Sequence, residues 1–151
     1  MVEDDSERAP ARLRSLLTWQ AGRLNLLGTR LTAAQLPANG RSDYAVLAAL
    51  EERGPISQAD LGRILGLDRN AVNTIATRLD DAGRITRTTD TSDRRRNVVA
   101  LTAAGRKALA ELQSATDRVQ AELAAPLTAD EARRLSALLA KIIDANPGLP
   151  S

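Results

Sequence analysis

The stretch that decides the fold, residues 57–102, reads SQADLGRILGLDRNAVNTIATRLDDAGRITRTTDTSDRRRNVVALT. It predicts two short helices that meet at a tight turn, followed by a β-hairpin with a run of arginines at its tip. This arrangement is a winged helix-turn-helix. A duplex offers base edges in the major groove and phosphates along its flanks, and a helix with a basic hairpin can reach both. The sequence therefore predicts a protein that binds double-stranded DNA.

The helix-turn-helix prediction depends on helix caps and apolar spacing that agree with each other. Ser57 is expected to cap the first helix by accepting a bond from the Asp60 amide, as in a capping box. Gly66 suits the left-handed residue that follows this helix, and Asp68 is expected to cap the second. One side of the second helix is apolar and is predicted to be buried, and it comprises Ala71, Val72, Ile75 and Leu79.

The opposite, polar side of the second helix is predicted to face DNA. Its residues are Arg69, Asn70, Asn73, Thr74 and Thr77. Asparagine amides can pair with adenine edges, threonines can touch a thymine methyl or a phosphate, and Arg69 can reach guanine or the backbone. Which of these side chains reads bases is left open. Ser57 and Gln58, at the start of the first helix, complete the predicted contact set. Arg78 is expected to point away from the groove and to pair with an acid.

The hairpin tip is the second predicted DNA contact. Asp93 and Arg95 are two residues apart and so project on the same side of an extended strand, where the carboxylate can hold the guanidinium in one pose. An arginine aimed in this way suits a narrow minor groove, and Arg94 and Arg96 extend the basic tip. Residues 84–107 contain seven basic and two acidic residues, whereas the whole chain has 21 and 19. The alternative is a solvated charge run, which is common at hairpin tips.

Long helices are predicted on both sides of the winged unit. Leucines recur three or four residues apart between Ala11 and Leu36, which predicts one long helix. Two more helices are predicted after Thr102, which is expected to cap the first of them, and a capping box at Thr128–Glu131 opens the second. Their apolar stripes are longer than a winged helix can cover, and uncovered stripes of that size mark an interface. The predicted fold is mainly α with a small β-wing, assembled as a homodimer.

The predicted organisation divides the 151 residues into three parts. Residues 1–36 form an N-terminal arm and dimerisation helix, residues 41–102 form the winged helix-turn-helix DNA-binding domain, and residues 103–146 form C-terminal dimerisation helices. A chain of this length suits one compact domain, or one domain with an oligomerisation element.

Composition argues against an enzyme. The chain has no cysteine and no histidine, which removes disulfides, the commonest general base and most transition-metal ligands. Asp80 and Asp81 fit a solvated helix end better than a catalytic pair. We therefore expect no cofactor and no metal. No apolar run of about 18 residues and no leader segment is found, so we expect a cytoplasmic protein without membrane contact.

These residues resemble a known family, the MarR-type transcriptional regulators. The resemblance covers roughly residues 13–143 and is carried by SQADLGRILGLDRNAVNTIATRLDDAGRI and by DTSDRRRNVVALTAAGR, which resembles the family's wing, its Asp-x-Arg pair and the Leu-Thr-x-x-Gly that opens the next helix. It implies an obligate homodimer in which the first and the last two helices interlock. On the family pattern Asp93 and Arg95 match the wing pair, with Arg95 expected in the minor groove.

The resemblance also implies a function. Each subunit would offer one winged helix to half of a palindromic operator, and repression would follow from occluding a promoter. Many members have Thr then Arg at the positions occupied here by Asn73 and Thr74, so a relative's operator does not transfer. The alternative is a winged-helix protein-interaction module without ligand response, against which the arginine cluster argues.

A small-molecule ligand is the last expectation from the resemblance, because such regulators often bind small aromatic or phenolic anions between the dimer helices and the winged helix. The only two aromatic residues, Trp19 and Tyr44, lie on the first and second helices, where such a cleft would form. Arg23 follows Trp19 by one helical turn and can meet a carboxylate. The alternative is plain packing of both rings.

Overall fold

A computed structural model describes residues 9–89, 91–92 and 97–146. The helices are α1 (Ala11–Arg14), α2 (Leu17–Gln35), α3 (Gly40–Arg53), α4 (Gln58–Leu65), α5 (Arg69–Asp81), α6 (Ala103–Leu123) and α7 (Ala129–Asp144). The strands are β1 (Ile56–Ser57), β2 (Ile85–Thr89) and β3 (Asn97–Leu101). The predicted fold class, mainly α with a small β-wing, is confirmed.

The N-terminal segment is not the single helix that the leucine spacing predicts. The chain breaks after α1, where the Ser15 hydroxyl donates to the Arg12 carbonyl at 3.0 Å. Leu16 is extended, with ψ 126°, and begins α2 as its N-terminal flanking residue. A serine hydroxyl that bonds to nearby backbone competes with helix continuation, which explains the break. The Gln20 side chain then satisfies the free Arg14 carbonyl at 2.9 Å.

The helix-turn-helix corner follows the predicted caps. The Ser57 hydroxyl accepts a hydrogen bond from the Asp60 amide at 3.1 Å. Gly66 is left-handed, with φ 62°, at the end of α4. The Asp68 carboxylate accepts from the Ala71 amide at 2.8 Å and so caps α5. Local sequence signals therefore place α5, the predicted recognition helix, against α4.

The wing is an antiparallel sheet in the order β1-β3-β2. In its register Ile56 pairs with Val99, and Ile85 pairs with Leu101. The two-residue strand β1 was not predicted, since it is too short to show an alternating pattern. The predicted wing residues Asp93, Arg94, Arg95 and Arg96 lie outside the described residues, and so does the predicted Asp93–Arg95 salt bridge.

The buried core is formed by the winged unit and by one side of α6, whereas the other flanking helices lie outside it. The fully buried large side chains all belong to the winged unit: Leu47, Leu50, Leu61, Leu79, Ile85, Val46, Val72 and Val99. By contrast, neither α2 nor α7 contains a buried residue in this single chain. The core therefore positions α5 and the sheet, while apolar side chains of the flanking helices remain uncovered.

The predicted capping box at the start of α7 is confirmed. The Glu131 carboxylate accepts from the Thr128 amide at 2.8 Å and from the Thr128 hydroxyl at 2.9 Å. These bonds, the backbone one first, hold the pKa of Glu131 below its ordinary value because they favour the ionised form.

A titration of Glu131 tests this cap. A carboxyl with a lowered folded pKa adds stability above its unfolded pKa, and that contribution is lost as the pH falls through the folded value. We expect NMR to report a pKa for Glu131 below that of an ordinary glutamate, and Thr128→Ala to raise it part of the way back, since the amide bond remains. An ordinary pKa in the wild-type protein would contradict the capping box.

Candidate nucleic-acid interface

The polar side of α5 is open to solvent. The five side chains predicted to face DNA are all exposed, namely Arg69, Asn70, Asn73, Thr74 and Thr77. The other side of the helix is buried through Val72, Ile75, Ala76 and Leu79. The helix therefore presents one continuous polar face, anchored from behind by the core.

The start of α4 borders this face, but its two predicted contact residues differ. Ser57 is only 5% exposed, and its hydroxyl bonds to the Asp60 carboxylate at 2.6 Å. Its hydroxyl caps α4, and a direct contact between Ser57 and DNA stays a prediction. Gln58 is half-buried and remains at the edge of the face.

An open groove of about 1040 Å³ joins these elements. The polar side chains along it are Ser57 of β1, Gln58 and Arg63 of α4, Arg69, Asn70 and Asn73 of α5, and Asn97 of β3. The groove therefore brings hydrogen-bonding groups from the helix-turn-helix and from strand β3 of the wing to one concave surface. Two arginines and several amides are the side chains that bind phosphates and base edges.

Arg87 links the wing to the recognition helix, a role that the sequence analysis missed. Its guanidinium donates to the Thr77 hydroxyl at 2.9 Å, to the Gln58 amide oxygen at 3.1 Å and to the Asn73 amide oxygen at 3.1 Å. One signal could have indicated its position: Arg87 is two residues after Ile85 on β2, and residues two apart share a face of a strand. Ile85 is buried, so Arg87 points toward the helices.

A second arginine ties α5 to the rest of the winged unit. Arg78 forms a salt bridge with Asp43, which is 7% exposed at the start of α3, and donates to the Ser42 hydroxyl at 3.3 Å. Arg84, at the base of the wing, lies 3.5 Å from the other Asp43 oxygen. The prediction that Arg78 points away from the groove and pairs with an acid is confirmed. Asp43 therefore fixes the recognition helix and the wing base to one point.

Neutralising Asp43 will destabilise the protein. Asp43→Asn leaves two half-buried guanidinium groups without their shared carboxylate, and we expect a loss of about 1–3 kcal/mol in the free energy of unfolding. This loss is at the low end of the range for buried ion pairs, because both arginines keep contact with solvent. The network is also incomplete in the wild-type protein, since the Arg78 Nε is buried without an acceptor among the described residues.

Urea unfolding at fixed protein concentration measures this loss. Glu52→Gln is the matched control, because Glu52 pairs with Arg53 on an exposed surface and should change the free energy by less than about 0.5 kcal/mol. Equal effects from the two substitutions would show that Asp43 does not anchor the winged unit.

The flanking helices carry a separate, apolar surface. On α7 the exposed apolar residues are Leu135, Leu138, Leu139, Ile142 and Ile143. On α1 and α2 and between them they are Leu13, Leu16, Leu17, Leu24, Leu26 and Leu27. These side chains are at least 37% exposed in the single chain. Apolar stripes of this length on a single protein chain mark an interaction surface.

A cavity of about 290 Å³ lies between α2, α3 and α6. Tyr44 and Arg41 line it, and the Tyr44 hydroxyl donates to the Gln113 side chain at 2.6 Å. Of the three residues predicted to bind a ligand, only Tyr44 lines this cavity. Arg23 instead lies 5.8 Å from the centroid of the Trp19 ring, a cation–π contact on the surface of α2.

Within the described ranges, no cluster of acidic side chains could hold a metal ion. In the same ranges, no helix has the length and hydropathy needed to cross a lipid bilayer.

The comparisons with known proteins all indicate a transcriptional regulator. A family model described as MarR matches residues 41–96. The chain is 29% identical to an uncharacterized HTH-type transcriptional regulator of Bacillus subtilis, YcgE, over 78% of its own length and 80% of that protein. It is 31% identical to a probable transcriptional regulator from Pseudomonas aeruginosa of solved structure, with a TM-score of 0.75, over 87% of this chain and all 100% of that one.

A further solved structure, the PcaV transcriptional regulator from Streptomyces coelicolor with its natural ligand, is 28% identical. Its TM-score is 0.75, and the similarity covers 91% of this chain and 99% of that one. The likeness therefore extends beyond the winged unit to the flanking helices.

Proposed function

The chain belongs to the MarR family of transcriptional regulators, and from that premise we propose that it acts in the cytoplasm as a homodimer that represses transcription by occupying a palindromic operator. Like its relatives, which are transcriptional regulators, it is a DNA-binding protein and not an enzyme. The observation that carries the proposal is the exposed polar face of α5, held outward by a buried apolar side and by the Asp43–Arg78 salt bridge.

The same geometry supports assigning DNA binding and dimerisation to different segments of the chain. We assign DNA binding to residues 41–102, where the core and the groove lie. The flanking segments, residues 1–36 and 103–146, are assigned to dimerisation because many apolar side chains of α2 and α7 are uncovered within one chain, while one side of α6 packs into the core. A two-fold dimer places two recognition helices about 34 Å apart, which is one turn of DNA.

A winged-helix module that binds protein instead of DNA is the second candidate. Such a surface would be expected to carry acids where a duplex would otherwise approach. Of the five exposed side chains of α5 that are predicted to face DNA, Arg69 is basic and none is acidic, and Arg63 borders the groove. The exposed Asp81 lies on the same side at the C-terminal end of the helix. The observed charges therefore favour DNA. Retention on heparin or bulk DNA at low salt separates the two candidates.

We further propose that a small aromatic or phenolic ligand modulates DNA binding. The cavity beside Tyr44 and Arg41 supports this, since it offers an aromatic ring and a guanidinium between the flanking helices and the winged unit. The PcaV structure, with its natural ligand, is of a protein with the same fold. Trp19 and Arg23 remain predicted ligand residues that do not line the cavity within one chain.

Selection of bound sequences from random DNA tests the proposed function. We expect a palindrome whose half-sites are centred about 10 base pairs apart. Asn70→Ala should then reduce discrimination at one base position by about 1–3 kcal/mol while changing affinity for scrambled DNA little, because amide contacts to base edges carry sequence information. Equal losses on selected and scrambled DNA would refute the assignment of Asn70.

A further inference from the structure

We propose that Arg87 is a positioning residue for operator recognition. It touches no base itself but holds Asn73, Thr77 and Gln58 in one fixed array, and so decides which base edges Asn73 and Gln58 can read. This inference rests on the proposed DNA-binding function and adds a specificity determinant to it.

The position of Arg87 is rigid before DNA arrives. Its backbone lies in the middle of β2, paired with the fully buried Val99 of β3. Its side chain is half-buried and reaches one residue of α4 and two of α5. The guanidinium therefore bonds the wing to both helices of the helix-turn-helix. Side chains that are ordered in advance cost less to order on binding.

The chemistry of arginine settles how the two amides are turned. A guanidinium has only donors, so the atoms that face it must be oxygens. The oxygens of Asn73 and Gln58 are 3.1 Å from Arg87. Their NH₂ groups are consequently directed away from Arg87, and both residues line the groove. Each amide then presents donors to an approaching base.

This orientation of the amide changes which DNA base Asn73 is expected to contact. Bidentate pairing with adenine needs the amide oxygen to accept from the adenine N6 amino group. The Asn73 oxygen is engaged by Arg87, so its donors favour acceptor-rich edges, above all N7 and O6 of guanine. Asn70 makes no such contact with any residue that the structure describes, so it keeps the adenine option. We therefore expect the base opposite Asn73 to be guanine rather than adenine.

A rival role for Arg87 is a direct phosphate contact. The three acceptors that Arg87 has among the described residues are uncharged, so they do not cancel its positive charge beside the groove. A phosphate contact needs only a point charge, which lysine also supplies, whereas the array needs a planar fork that lysine lacks. The two roles therefore differ in their tolerance of lysine and in their salt dependence.

The test compares Arg87→Lys with the wild-type protein on the selected operator. We expect the substitution to lower operator affinity about tenfold, to leave affinity for scrambled DNA and the salt slope unchanged, and to widen base preference at the position read by Asn73. Arg53→Lys is the matched control, because it makes the same change at an exposed arginine that pairs with Glu52, and should alter none of these quantities.

A second pair of variants separates positioning from loss of folding. Asn73→Asp keeps an oxygen for Arg87 but removes the donors, so it should abolish the guanine preference in a protein whose melting temperature is maintained. In an Asn73→Ala background, Arg87→Lys should have little further effect at that base, because the two side chains act as one unit.

Wild-type affinity and base preference in Arg87→Lys would overturn the proposal. A loss in Arg87→Met that is equal on operator and scrambled DNA, with a salt slope lowered by about one unit, would also overturn it in favour of a phosphate contact. If the wild-type protein selects no preferred DNA sequence, the proposed function itself fails. That outcome can be distinguished from the two results that would overturn only the role of Arg87.

Discussion

Replacing Leu138 and Ile142 together by glutamate will convert the dimer to a monomer and weaken operator binding by about 100-fold or more. Both side chains are 53% exposed in the single chain, and they lie one helical turn apart on α7. In a dimer they would be buried against the partner, where two carboxylates per subunit would be desolvated without a counter-charge.

The loss in DNA affinity follows from losing the second half-site. A dimer binds both halves of the operator at once, and the second contact costs little additional freedom because the first has already placed it. A monomer keeps one half-site only. Specific binding commonly exceeds nonspecific binding by a factor of about 10³–10⁷, and half of the contacts carry a large share of that factor.

Sedimentation at micromolar concentration, followed by titration of the selected operator, measures both effects. Ala137→Glu with Ala140→Glu is the matched control, since it adds the same charge to exposed positions on the opposite side of α7. A double variant at Leu138 and Ile142 that still sediments as a dimer would rule out α7 as the interface.

Gly105→Ala will cost about 3 kcal/mol of folding free energy, an effect of the size seen for overpacking against atoms that cannot move aside. A Cβ atom at Gly105 would lie 2.0 Å from the Arg84 carbonyl oxygen and 2.7 Å from the Leu101 side chain. The first atom belongs to the backbone at the base of the wing, so the wing and α6 would have to separate.

The close approach of Gly105 to the Arg84 carbonyl is part of the junction between α6 and the base of the wing. The Thr102 hydroxyl donates to the Gly83 carbonyl at 2.8 Å and accepts from the Gly105 amide at 3.0 Å, while the Thr102 amide donates to the Arg84 carbonyl at 3.1 Å. An added methyl group would disturb all three bonds. We expect operator affinity to fall as well, because β2 carries Arg87.

Urea unfolding and operator titration measure the two consequences of Gly105→Ala. Ala104→Leu is the control, because it adds a larger side chain in the same helical turn on an exposed position. A Gly105→Ala protein as stable as wild type would mean that α6 and the wing base do not pack as closely as described.

Local signals predicted the parts of the fold that local chemistry determines. Ser57, Asp68 and Thr102 cap helices as expected because a hydroxyl or carboxylate reaches an amide three residues ahead. The break after α1 was missed because leucine spacing continues across it, while the Ser15 hydrogen bond that accompanies it leaves no trace in that spacing.

Contacts between residues that are far apart in the chain could not be predicted from the sequence. That Arg78 pairs with an acid could be predicted from its position, but the partner, Asp43, lies 35 residues away and is chosen by packing. Strand β1 exists because β3 pairs with it. Arg87 shares a strand face with Ile85, yet which helix side chains it meets depends on how the sheet packs against α4 and α5.

The most direct test is to insert five base pairs between the half-sites of the selected operator and to measure the affinity of the wild-type protein, since half a turn places the second half-site on the opposite side of the duplex. We expect the affinity to fall to about that of a single half-site. Unchanged affinity would contradict a dimer that sets two recognition helices one turn apart.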